Sequence, residues 1–428
     1  MKIPHQLRSV KYFAATDKVT SFAGLKFITD LAHKLGIIHG LETLTVKKRR
    51  RGIPVPDFVM SLVHSFVVGG QHLSDLQVLR EEKATREHLY GLEVPAPTTA
   101  GEMLRKFTLG HIKQLEKVIA EALRAADRMR GGDDAITLDV DSSIIQVYGY
   151  LKEGARYSYN KTKGFNPLLC FWSETRLLIG ARLRSGNRHT AHKVVSFLGE
   201  CLARLPKDRR IHVRMDAGYY SREIVAYLLG RGLEFSISAR LTTSLRAAIE
   251  ALAEKSWKPY PWEDGTEYAE LAYTPKGWPG MFRMLVKRQP LYEGNQLVLG
   301  RYFYTSVITN RRGAAPSLIK HHLARGGAEN YIEEFKNNVS ARLLPSQNFI
   351  ANYTWLVIAQ LAYNLGQWFK LLVLPTSSHS HQFKKLRLHW FCVAARVIHS
   401  GRQTKIALAR AGDTATRFAR AQAAIRLL

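Results

Sequence analysis

The sequence predicts an α/β domain set between two largely helical segments, and three observations carry that expectation. From the start of the chain to about residue 128, apolar residues recur at helical spacing, in Phe22 to Leu35, Phe58 to Val68 and Met103 to Leu123, with little strand-like alternation. After the turn-rich stretch RMRGGDD at residues 128–134 the pattern becomes β-β-β-α-β-α-β, the alternation expected of a sheet covered by helices. From Ser317 onward long helical stretches return, through Arg325 to Asn337 and Tyr353 to Leu372.

In order along the chain, the first segment (1–130) carries five consecutive cations, Lys47, Lys48, Arg49, Arg50 and Arg51, followed by Gly52 and Pro54. Such a run reads as a basic loop able to lie along a phosphate backbone. Thr99 with Glu102, after Pro95 and Pro97, has the spacing of a capping box, and Leu73 to Phe107 has room for a helix-turn-helix-like unit. The second segment (131–240) supplies the strands AITLDVDSSIIQVYG, PLLCFW and LLIGARLR, a helix over Thr190 to Leu205, a strand over Ile211 to Met215, a helix near Ser221 to Leu229 and a strand over Leu233 to Ala239. Residues 241–310 interrupt that order with Trp257, Trp262, Trp278, several Pro and Gly residues and alternating apolar runs, and read as a β-rich insertion. Residues 311–375 return to helix. The last segment (376–428) holds ten Lys or Arg and one acid, Asp413, and reads as helical and basic.

A chain of 428 residues with 46% hydrophobic and 23% charged residues is long enough for real cores and is neither disordered nor fibrous in composition. The net charge of +28 opposes compaction unless a polyanion answers it, which points to nucleic acid as partner. Three cysteines, Cys170, Cys201 and Cys392, form no C-x-x-C pair and no zinc spacing, so a reducing, cytoplasmic setting close to the nucleoid is expected. His189 and His192 are spaced as a metal pair but have no thiolate or acid beside them in sequence. The N-terminus lacks the apolar core of a secretory signal. The longest apolar run, Trp355 to Leu374, contains Gln360, Asn364, Gln367 and Lys370 and suits a core helix better than a lipid span, so no membrane role is expected.

In a basic protein the informative residues are acids in apolar surroundings, because a buried carboxylate is costly unless paired or bound to a cation. Three places qualify. Asp139 and Asp141 lie two apart on one predicted strand and share a face. Asp216 ends the apolar strand before Ala217 and Gly218, where α/β folds place their chemistry. Glu329 opens the helix AENYIEEFKN. Oxygen-rich clusters of this kind hold Mg²⁺ or Mn²⁺, and two such ions serve phosphoryl transfer.

The segments LDVDSSIIQVYG, KGFNPLLCFW, RLRSGNRHTAHK, RMDAGYYS and RGGAENYIEEFKN, followed by YNLGQWFK, resemble those of bacterial insertion-sequence transposases of the DDE type. His322, Arg325, Glu329 and Lys336 keep the Tyr-x2-Arg-x3-Glu-x6-Lys spacing of that superfamily, with His in the Tyr position. The resemblance covers roughly residues 135 to 370. It implies an RNase H-like catalytic core with a β-rich insertion, and metal-dependent cleavage and strand transfer at the terminal inverted repeats of an insertion sequence, by cut-and-paste. It implies Asp216 and Glu329 as the second and third acids. Asp141, followed by Ser142 and Ser143 where the family has Asp-x-Thr, is the expected first acid, with Asp139 as the alternative. Together Asp141, Asp216 and Glu329 would hold two Mg²⁺ or Mn²⁺ ions.

His322, Arg325 and Lys336 would contact DNA near the cut end, as would the basic run at Lys47 to Arg51. Trp257 and Trp262 of the insertion would stack on a base extruded there. The expected partners are double-stranded DNA, as element ends and target, and a second copy of the chain. Two readings remain beside this one: a metal-dependent nuclease that does not join, and a DNA-binding protein of transposase descent that no longer cuts.

Overall fold

A computed structural model describes residues 18–47, 51–82, 90–132, 135–149, 151–158, 160–278, 280–293, 296–400, 403–410 and 412–428. The chain opens with helices α1 (Leu25–Lys34) and α2 (Val55–Val68), then α3 (Pro97–Lys106) and α4 (Leu109–Arg130). The stretch expected as one helix over Met103 to Leu123 is two. The chain breaks at Phe107, which has extended backbone, and Thr108 caps α4 by accepting from His111 N. Thr99 does not cap α3. That helix starts earlier, with Pro97 in its first turn, where the missing N–H costs nothing, and Ala96 before it. Of the proposed helix-turn-helix unit, residues 83–89 lie outside the described residues, as do Lys48, Arg49 and Arg50 of the basic run. Lys47 and Arg51 are exposed on either side.

The sheet begins with β1 (Ile136–Ser142), β2 (Leu168–Trp172) and β3 (Leu177–Arg182), joined as an antiparallel set. Helix α5 (Val194–Arg204) leads to β4 (Ile211–Met215), and α6 (Arg222–Gly230) leads to β5 (Glu234–Ser238). Both strands run parallel to β1, with β4 beside it and β5 beyond. The order β3-β2-β1-β4-β5 is that of an RNase H-like core. Ile136 to Val140 are buried without alternation, as a central strand covered on both faces requires.

Between β1 and β2 the chain makes a small three-stranded sheet from residues 145–146, 156–157 and 163–165. The insertion follows β5 with α7 (Thr243–Glu250), β6 (Lys258–Pro259), β7 (Glu267–Tyr273), β8 (Phe282–Glu293) and β9 (Gln296–Thr309). It does not stand apart as a second sheet. Strand β9 pairs antiparallel with β5, Ile308 opposite Ile237, so the insertion extends the core sheet to nine strands.

Helices α8 (Ala315–Leu323), α9 (Gly327–Asn338) and α10 (Phe349–Val373) close the core. Residues 351–370 of α10 are all buried, polar ones included, and the sheet satisfies two of them. Asn364 exchanges two 2.9 Å hydrogen bonds with the backbone N–H and C=O of Leu178 on β3, and Gln360 donates to the same carbonyl at 2.8 Å. No helix of the described residues is long and apolar enough to cross a membrane.

The C-terminal segment differs from the all-helical expectation. It holds a hairpin of β10 (Ala395–Ser400) and β11 (Gln403–Leu408) before the last helix, α11 (Thr414–Leu427). Helix α11 returns to the N-terminal unit, where Phe418 packs 4.9 Å from Phe27 and Gln422 donates to Asp30 at 2.9 Å. One hydrophobic core runs from Leu25 through the sheet to Ile425.

Candidate active site

Parallel pairing sets the first two acids side by side. Val140 on β1 is opposite Met215 on β4, so the residues that follow them, Asp141 and Asp216, sit side by side at the carboxyl ends of adjoining strands. Asp216 turns its chain at once: its Oδ1 accepts from Gly218 N at 2.8 Å and caps a short 3-10 turn over Ala217–Tyr219. A Cβ at Gly218 would stand 3.0 Å from both Asp216 Oδ1 and Thr190 Cγ2, so a side chain there would have to push both aside. The third acid comes from α9. The helix starts at Gly327, after a 3-10 turn over Ala324–Gly326, and Glu329 occupies its first turn.

The three carboxylates are electrostatically coupled at one place. Burial first, and then the negative charges of Asp216 and Glu329, push the Asp141 carboxyl up to about 6, against the opposing pull of the Ser142 N–H and of Arg325. Ser142 N donates to Asp141 Oδ1 at 2.7 Å, and Arg325 Nη1 stands 3.5 Å from Oδ2. Among the described residues no three of His, Cys, Asp and Glu close to metal-ligand spacing, so the acids are not a finished ligand set as they stand.

Asp139, although on the same face of β1, is in a different setting. It is 1% exposed and forms a bidentate pair with Arg214 of β4, Nε to Oδ1 and Nη2 to Oδ2, both 2.7 Å. Arg214 also donates to Ser173 Oγ at 2.8 Å and to the His321 carbonyl at the end of α8. This cation, not singled out from sequence, lies below both strand-end acids and ties their strands to the helix that precedes Glu329. Its only sequence signal was a charged residue inside the apolar strand IHVRM.

The remaining expected residues divide. Lys336 donates to Ser143 Oγ at 3.0 Å, two residues beyond Asp141, on the helix that carries Glu329. It borders a cleft of about 550 Å³ that continues away from the acids between Tyr148, Gln71 and Arg342. His322 does not reach the surface. It is 2% exposed, Nε2 and Nδ1 meet the hydroxyls of Ser238 and Ser236 at 2.9 and 3.0 Å, and burial lowers its pKa to about 3. A neutral ring with both nitrogens engaged has no donor left for a phosphate.

Trp257 is buried with Arg288 stacked 4.1 Å from its ring, and Arg288 is held in turn by Glu254 and Glu267. Trp262 is half-exposed but carries Lys320 at 4.2 Å over its ring, and Trp278 packs at 4.9 Å on Tyr220. Trp257 therefore presents no free stacking face, while Lys320 occupies one face of Trp262.

A second residue missed from sequence is Arg184. It is 5% exposed and spreads its donors over the carbonyls of Asn166, His189, Thr190 and His192 at 2.8 to 3.3 Å. It thereby fixes the loop 185–193, whose Thr190 abuts Gly218 beside Asp216.

Among solved structures the chain is similar to the piggyBac transposase in a synaptic complex with hairpin DNA, with 11% identity and a TM-score of 0.47 over 87% of this chain and 79% of that one. No curated protein matches it in sequence. The family model for the transposase DDE domain, group 1, matches residues 4–428, and the chain belongs to that family.

Proposed function

We propose that this transposase cuts DNA at the terminal inverted repeats of an insertion sequence and joins the freed 3′ end to a target, by cut-and-paste, with Asp141, Asp216 and Glu329 as its catalytic acids. The observation that carries the reading is the convergence of the ends of β1 and β4 and the start of α9, where burial first, and then the charges of Asp216 and Glu329, push the Asp141 carboxyl up to about 6. Buried carboxylates whose charges reach one another are unfavourable unless a cation answers them. Three hard oxygen donors suit Mg²⁺ or Mn²⁺. Asp141 and Asp216 would share the ions, with Glu329 completing one shell. When bound, such ions lower the pKa of a water and offset charge on the departing oxygen.

The chain's own groups orient the DNA. Arg325, at only 3.5 Å from Asp141, can turn its guanidinium to a phosphate once that carboxylate is otherwise neutralised. Lys336, held by Ser143, fixes a positive point one helix face further along. The buried Arg214 and Arg184 keep the strand ends and the 185–193 loop in place, so the acids do not reorganise as charge develops. Two ends must be handled together, and two protomers on duplex DNA are the expected assembly.

The test uses the gene with its native flanking DNA as donor, and compares wild type with Asp216→Asn for Mg²⁺-dependent release of the flanked segment and its joining to a target plasmid. Wild type releases and joins it, and the variant loses both by about a thousandfold or more, the several kcal/mol that charge stabilisation supplies. Cutting without joining supports the nuclease reading instead, and DNA binding with neither activity supports the non-catalytic one.

A further inference from the structure

We propose that His322 is a positioning residue: hydrogen-bonded to Ser236 and Ser238 of β5, it locks the end of α8 to the sheet and thereby sets Arg325 and Glu329 beside Asp141. The inference rests on the reading of Asp141, Asp216 and Glu329 as catalytic acids, and adds the group that aligns the third with the first two. The ring is engaged at both nitrogens, 3.0 Å from Ser236 Oγ and 2.9 Å from Ser238 Oγ. Strand β4 joins the same chain of bonds, since His212 Nε2 lies 2.9 Å from Ser236 Oγ. A neutral imidazole donates from one nitrogen and accepts at the other, and a serine hydroxyl answers either, so the one ring can satisfy both serines.

Register places these serines next to the acids. Arg214 of β4 is paired with Ser236 and Met215 with Ile237, so Asp216 and Ser238 come next, side by side, as the two parallel strands end. The backbone at the end of α8 is tied as well, because Arg214 donates to the His321 carbonyl. Two successive residues are thus fastened to two adjoining strands. On its other side α8 packs Ala315, Leu318 and Ile319 against Tyr260, Leu285 and Val307 of the insertion.

The turn after α8 is soft. Arg325 is three residues beyond His322 and Glu329 seven, with Gly326 and Gly327 between them. Both glycines have ordinary right-handed φ. A Cβ at Gly326 would meet nothing within 4 Å, and one at Gly327 only the Tyr331 hydroxyl at 3.7 Å. No steric demand calls for glycine at either place, and the pair leaves the backbone free to move. The position of the turn, with Arg325 Nη1 3.5 Å from Asp141 Oδ2, is therefore set by what fastens its two ends, and His322 is the fastening at the first. A tyrosine, the residue usual at this place in the signature, has one hydroxyl on a longer body and cannot bridge two serines in a site that is 2% exposed.

The test compares full-length wild type, His322→Leu, His322→Gln and His322→Tyr in Mn²⁺ binding, read from the paramagnetic resonance of the free ion, in release of the flanked segment, and in duplex binding. His322→Leu loses about tenfold in Mn²⁺ affinity and in release, the usual cost of removing a group that orients a ligand, and binds duplex as wild type does. His322→Gln, which keeps a donor and an acceptor, recovers most of both losses, and His322→Tyr recovers neither. Wild-type Mn²⁺ affinity in the leucine variant, a glutamine no better than the leucine, or an active tyrosine variant overturns the proposal. So does a folded leucine variant that loses duplex binding as much as release, which would make His322 a DNA contact. If circular dichroism shows the leucine variant unfolded, Ser238→Ala decides, because it removes one partner of the ring and leaves α8 intact: weaker Mn²⁺ binding with unchanged duplex binding supports the proposal, and wild-type values overturn it. Asp216→Asn separates the two readings. If it binds Mn²⁺ as wild type does and neither protein releases the segment, the catalytic assignment falls; if it loses both and the His322 variants lose nothing, only this inference falls.

Discussion

The floor and the rim of the acid site solve the same problem in opposite ways. Asp139 and Asp141 share a strand face, yet Asp139 is fully sealed and neutralised by a two-bonded Arg214, while Asp141 faces two more carboxylates and a guanidinium no closer than 3.5 Å. The floor is paired at both carboxylate oxygens, although burial still pushes the Asp139 carboxyl above its usual value. The rim buries a carboxylate beside two others, with the Ser142 N–H and Arg325 offsetting the cost only in part.

The largest effect expected from breaking this contrast is at the floor. Arg214→Met leaves a buried carboxylate without its partner and costs about 3–5 kcal/mol in urea denaturation, while adding Asp139→Leu restores most of the loss, since two apolar groups of similar volume replace the pair. If the single variant is as stable as wild type, the floor is not the support described.

At the rim the sign reverses. The folded chain raises the Asp141 carboxyl to about 6 against an ordinary 3.8, so burial first, and the neighbouring carboxylates after it, cost stability once pH rises through that window. Asp141→Asn therefore stabilises the fold by about 1–3 kcal/mol at pH 7, with the gain fading as pH falls toward 4, and it abolishes cleavage. A destabilised Asp141→Asn at pH 7 would contradict that cost. The smallest effect belongs to Ser143→Ala, which removes the hydroxyl that Lys336 grips and costs about 1 kcal/mol. It leaves the Asp141 titration, followed by NMR, where it was.

Much of this was legible in sequence. Strands β1, β4 and β5 showed as short apolar runs bounded by turns, and Glu329 could be placed in a first helical turn because Gly326 and Gly327 interrupt the pattern before it. The hairpin β10–β11 was not legible, because Gln403, Thr404, Lys405, Ile406 and Ala407 are all exposed and no inside-outside alternation exists to be read. The extension of the core sheet by the insertion was hidden in the pairing of β9 with β5, a long-range choice.

Residue spacing also could not separate Asp139 from Asp141. What separates them is an arginine 75 positions beyond Asp139, which reaches it only when β1 and β4 lie side by side. His322 occupied the right position in the Tyr-Arg-Glu-Lys spacing, but the pair of serines on β5 that engages it belongs to another element.

The return of α11 to α1 has a consequence for the time at which the molecule comes into being. Lys34 donates to the Arg426 carbonyl at 2.9 Å and Phe27 is covered by Phe418, contacts that span nearly the whole chain. During synthesis, which proceeds at about 5–20 residues per second, the first helices leave the ribosome long before the residues that cover them. Until α11 emerges, Phe27 has Phe369 at 5.5 Å and Trp390 at 6.1 Å but lacks the cover of Phe418. Emergence of α11 thus completes the packing of α1, and a product terminated before α11 leaves that flank partly open to chaperones and proteases.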